Sequence, residues 1–87
     1  MDLQQQFDQA AERSKTLPQR PTNEELLQLY ALFKQATEGD VTGERPGGFD
    51  FKNIAKYDAW EELKGKTKEQ AQQEYIAFVD KLHQQYA

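Results

Sequence analysis

Apolar residues in this chain recur at steps of three and four in four separate stretches divided by prolines and glycines, and no stretch alternates apolar and polar with period two. That pattern confines the chain to helices. Leu3, Phe7, Ala10, Ala11, Ser14 and Leu17 share one helical face, which predicts a first helix over 3–16 with Asp2 as its cap. Pro18 and Pro21 break it. Thr22 with Glu25 three residues on has the form of a capping box and opens a second helix over 23–37. Leu26, Leu27, Leu29, Tyr30, Leu32 and Phe33 surround more than one face of that helix, so it is either the most enclosed of the set or borders a ligand. Gly39 supplies its stop.

A glycine-rich loop from Gly39 to Asp50 follows, with Phe49 and Phe51 expected to hold down its far end. Asp50 is placed to cap a third helix that ends at Gly65, and Phe51, Ala55, Ala59 and Leu63 form its expected core stripe. Thr67 and Gln70 repeat the capping-box pattern. Ala71, Tyr75, Phe78, Val79, Leu82 and Tyr86 then mark a long fourth helix. The expected architecture is an all-α, four-helix bundle with one long connection between helices two and three.

With 87 residues the chain is expected to form a single domain over 1–87. Apolar residues are only 37%, but aromatics reach 11%, too many for a disordered tail. The net charge of −4 argues against a general nucleic-acid-binding surface and leaves room only for a local basic cluster. There is no cysteine, so thiolate nucleophiles and thiolate metal sites are excluded. The longest apolar stretch, Leu26 to Phe33, is interrupted by Gln28 and falls far short of the roughly 20 residues of a membrane span. No targeting pattern opens the chain, so a cytoplasmic protein is expected.

Catalytic chemistry finds few footholds. His83 reads as an exposed helix-end residue, and Glu24-Glu25 and Glu61-Glu62 are adjacent pairs about 100° apart around a helix. No ligand set for a metal stands out, and Gly47-Gly48 fits no phosphate-loop motif. More informative is Tyr30 with Lys34, since four residues on a helix put a ring beside an ammonium group. Lys52, Lys56, Tyr57 and Trp60 repeat the mixture on helix three. Two readings fit: lysine stems covering apolar surface, or a site where rings stack on a purine and lysines neutralise phosphate.

At these residues the chain resembles the acyl-CoA-binding protein family, also called the diazepam-binding inhibitor family. The resemblance rests on Tyr30 through Asp40, Glu44-Arg45-Pro46-Gly47, Phe51-Lys52, Ala55 through Trp60 and Leu63-Lys64-Gly65, with Phe7, Ala11, Lys15, Pro21 and Tyr75 around them. It implies an up-down-down-up bundle and a non-catalytic intracellular carrier, without cofactor, that binds long-chain fatty acyl-CoA one to one as a monomer. It further implies that Tyr30, Lys34 and Lys56 hold the adenine and 3′-phosphate. Tyr75 and Lys15 would flank that end, and Leu27, Ala11 and Phe33 would line the acyl-chain groove. Four positions depart from the family pattern: Ser14, Phe33 for a common tyrosine, Gly48, and Tyr57 for a usual tryptophan. The competing reading is a small helical protein-interaction module docking through helix two. An acyl-CoA-using enzyme ranks third for want of a nucleophile–base pair.

Overall fold

The computed structural model describes residues 1–86 and consists of α1 (Leu3–Arg13), α2 (Asn23–Glu38), α3 (Phe51–Glu61) and α4 (Lys68–Gln85), with a single 3₁₀ turn, Ser14–Thr16, extending α1. Local chemistry sets three of the four starts. Asp2 accepts from Gln5 N–H at 2.8 Å, while the Gln5 side chain accepts from Asp2 N–H at 3.2 Å. Thr22 with Glu25 and Thr67 with Gln70 close the same reciprocal box. α3 is the exception. The Asp50 backbone is not extended, so its carboxylate caps no backbone amide and takes the Asn53 side chain at 2.9 Å instead.

α2 packs on α4 over the largest contact, α1 packs on α4, and α3 packs on α2. The buried core is Phe7 and Ala10 from α1, Leu29, Leu32 and Ala36 from α2, and Ala71, Tyr75, Val79 and Leu82 from α4. α3 adds nothing to that cluster; its one buried residue is Trp60. The expected stripe of Phe51, Ala55, Ala59 and Leu63 is therefore not a buried core. Phe51 is 68% exposed, and Ala55, Ala59 and Leu63 are half-buried along an open groove facing α2; of the four, Leu63 alone packs against the core cluster. Alanine is too short to span the gap between the helices, so the stripe faces α2 without closing on it.

Phe49 and Phe51 do not hold the loop down either. They stack edge-on against each other, 6.1 Å between centroids, and Phe49 is 90% exposed. Polar contacts do the anchoring. Arg45 grips Asp58 through two hydrogen bonds of 2.8 and 2.9 Å, and Tyr57 Oη donates to Gly43 O at 3.3 Å. Gly39, at φ 83°, ends α2 in a conformation that disfavours any side chain, and its carbonyl accepts the Trp60 indole N–H at 2.8 Å. Buried Gln35 donates to Asp40 Oδ1 and to Lys66 O, while the same Asp40 oxygen accepts Gly65 N–H. The end of α2 is thereby tied to the α3–α4 turn. His83 is half-buried rather than exposed, and its Nε2–H donates to Arg13 O at 2.8 Å, satisfying a carbonyl at the end of α1. Among the described residues no helix is long and apolar enough to cross a membrane.

Candidate functional site

Tyr30 and Lys34 lie one turn apart on α2, and the Lys34 ammonium sits 6.0 Å from the Tyr30 ring centroid and 5.1 Å from that of Trp60. From α3, Lys56 Nζ reaches the same Tyr30 ring at 5.2 Å. One ring thus carries two cations. Tyr30 and Lys56 open onto a groove of about 410 Å³ between α2 and α3, floored by Leu26, Leu27 and Ala55 and edged by Arg20 and Lys52. Leu27 and Ala55 also line a second hollow of about 560 Å³, where Ala31, Leu32, Ala59 and Leu63 meet the acidic side chains of Glu24, Asp58, Glu62 and Glu74. The small side chains that keep α3 from the core create this space.

The remaining candidates meet elsewhere. Ala11, Lys15, Phe33 and Tyr75 line a hollow of about 460 Å³ formed by α1, α2 and α4. There Phe7, Phe33 and Tyr75 form an aromatic trio with centroids 5.1 to 6.0 Å apart. Burial holds the Tyr75 hydroxyl above its ordinary pKa, opposed by a hydrogen bond with Ser14. Lys15 is largely exposed and pairs with Glu12 at 3.7 Å. The structure brings Tyr30, Lys34, Lys56 and Leu27 to the α2–α3 side, and Lys15, Ala11, Phe33 and Tyr75 to the other.

Charge at the first cluster is local. Arg20, Lys52 and Lys56 border the same groove in a chain of net charge −4. The Lys34 ammonium hydrogen-bonds Glu38, which raises its pKa above the ordinary lysine value and keeps it charged. Sequence reasoning missed three neighbours: Arg20, Asn23 and Glu38. Arg20 and Asn23 stand at a helix entry where periodicity carries no signal, whereas Glu38, four residues after Lys34, was open to the same spacing argument that found Tyr30. Among the described residues no group of three or more acidic, His or Cys side chains converges as metal ligands. Two cations over an aromatic ring, opening on an apolar trough, suit an elongated amphiphile with a flat, multiply anionic head.

The family model described as acyl CoA binding protein matches residues 4–79. An acyl-CoA-binding protein homolog of Drosophila melanogaster is 53% identical over 85 residues, covering 98% of this chain and 99% of its own length. Acyl-CoA-binding protein homolog 1 of Caenorhabditis elegans is 54% identical over 80 residues, covering 92% of this chain and 93% of its own. The crystal structure of acyl-CoA-binding protein 2 from Oryza sativa superposes with a TM-score of 0.92 at 48% identity, covering 97% of this chain and 93% of that one.

Proposed function

This chain belongs to the acyl-CoA-binding protein family, and we propose that it carries long-chain fatty acyl-CoA thioesters one to one, as a cytoplasmic monomer forming a single acyl-CoA-binding domain over 1–87. It is an acyl-CoA-binding carrier and not an enzyme. The family assignment disfavours the interaction-module alternative. What carries the residue-level reading is the pair of ammonium groups over the Tyr30 ring, which together with Lys56 borders the α2–α3 groove. In this reading Tyr30 stacks on the adenine, Lys34 and Lys56 neutralise phosphate as point charges, and the acyl chain lies along Leu27. Lys15, Phe33, Ala11 and Tyr75 form the neighbouring wall on the α1–α4 side.

The division of labour between head and tail follows from magnitudes. Each buried CH₂ is worth about 0.8 kcal/mol, so two added methylenes tighten binding about tenfold until the groove is full. Calorimetric titration with palmitoyl-CoA tests the reading. Saturable binding at one ligand per chain, far tighter than for free CoA or palmitate, is the expected result; equal affinity for acetyl-CoA and palmitoyl-CoA would remove the acyl groove from the account.

A further inference from the structure

The last residue of α2 runs against the electrostatics of its own helix. A helix C-terminus bears partial negative charge and favours cations, yet α2 has no basic residue in its last turn and ends on Glu38. The carboxylate of Glu38 finds a partner in Lys34 one turn earlier, and lysine preceding glutamate is the less favourable order for such a pair. Helix stability does not account for this placement. The ammonium that Glu38 engages is the one poised over the Tyr30 and Trp60 rings. Any anion approaching Lys34 must displace Glu38 or share the cation with it.

We propose that Glu38 sets the affinity of the site as a resident counter-anion, holding Lys34 over the rings in the empty protein and competing there with the phosphate of incoming acyl-CoA. This rests on the reading of Tyr30, Lys34 and Lys56 as the phosphate end. Glu38 acts through Lys34 and is a positioning residue. It keeps the ammonium in place between ligands, it opposes the ligand's charge, and it recaptures Lys34 when the phosphate leaves. Because the Glu38 side chain is half exposed, water and salt soften the competition without abolishing it.

The test titrates CoA and palmitoyl-CoA calorimetrically into the parent protein, Glu38→Gln, Lys34→Met and the double variant, with thermal unfolding followed alongside. At low salt Glu38→Gln is expected to bind both ligands about three- to tenfold tighter, since one screened ion pair and one like charge are removed. The gain should be equal for the two ligands because the acyl groove is untouched, should shrink as salt is added, and should vanish in the Lys34→Met background. The unfolding midpoint of Glu38→Gln should match or exceed that of the parent. Unchanged or weaker binding by Glu38→Gln overturns the proposal, as does a gain that persists without Lys34. If the parent binds palmitoyl-CoA and Glu38→Gln changes nothing, the inference falls alone. If the parent binds no palmitoyl-CoA, the carrier reading falls and takes the inference with it.

Discussion

The two sides of α2 are built to opposite specifications. Toward α1 and α4 it presents Leu29, Leu32 and Ala36 to Phe7, Tyr75, Val79 and Leu82, all of them buried. Toward α3 it meets Ala55 and Ala59, and the helices stand apart over a groove lined by Leu27 and Ala31. Against α4 large residues close the core, whereas against α3 small ones leave a trough open. On the proposed reading, stability rests chiefly on the face toward α4 and the acyl groove on the face toward α3, with the hollow around Phe33 and Tyr75 shared between the two roles, so substitutions at Leu82 and on the α3 side should separate the two properties.

The largest expected effect is on the closed side. Leu82 is fully buried, so Leu82→Ala should cost about 2–5 kcal/mol in urea-induced unfolding, the range for a leucine cavity, while affinity for palmitoyl-CoA in the still-folded protein stays near that of the parent. A parallel loss of affinity would merge the two sides. Next come the cations bordering the groove. Lys56→Ala should weaken CoA and palmitoyl-CoA alike by about 1.5–3 kcal/mol, with little change in unfolding, because a charged hydrogen-bond donor is removed from α3 and no core contact is lost. Ala55→Leu sharpens the comparison from the other direction. It places an isobutyl group on the groove floor and should cost palmitoyl-CoA about 1–2 kcal/mol, roughly two buried methylenes, without affecting CoA.

The smallest effect is on pH dependence. The Gly65 N–H and Gln35 hold the Asp40 carboxyl below its ordinary pKa of 3.8, and Arg45 does the same for Asp58. Depressed carboxyl pKa values mean that these contacts stabilise the fold above pH 3.8 and are lost as pH falls below it, through the lowered values. Both side chains lie at the solvent surface, so acid should loosen the 39–50 loop and the α3–α4 turn before it melts the core. Amide exchange of Gly65, compared with that of Leu82 at pH 5 and pH 3, measures the difference.

What the sequence disclosed follows the range of the interactions. The cap at Asp2 and the boxes at Thr22 and Thr67 each close within three residues, and Tyr30 with Lys34 within four, so spacing points to them, although the reciprocal half of the Asp2 box, through Gln5, emerges only in the structure. Arg45 to Asp58 spans 13 residues and His83 to Arg13 spans 70; no local pattern announces either. Periodicity correctly grouped Ala55, Ala59 and Leu63 on one face, but it cannot say whether that face closes on a neighbour or stops short of it. The expectation for Phe49 and Phe51 fails for the same reason: hydrophobicity implies burial only where the fold offers a surface to receive the rings, and here it offers none. Lys56 over Tyr30 is a meeting of two helices, and only the family resemblance anticipated it.

α1 and α3 each pack chiefly on one helix, whereas α2 and α4 are each flanked by two; unlike α1, α3 contributes no residue to the buried core cluster. Its attachments are mostly polar, among them the Trp60 indole on the Gly39 carbonyl, the Arg45–Asp58 fork, Tyr57 on Gly43 and Lys56 over Tyr30, with Trp60 as its one buried residue. With so little apolar surface to lose, α3 is the helix whose local opening is least costly, and it can part from α2 without global unfolding. The two walls of the groove are therefore unequally held: α2 is packed into the core and tied through Gln35 to the α3–α4 turn, while α3 rests on one buried ring and a few polar contacts.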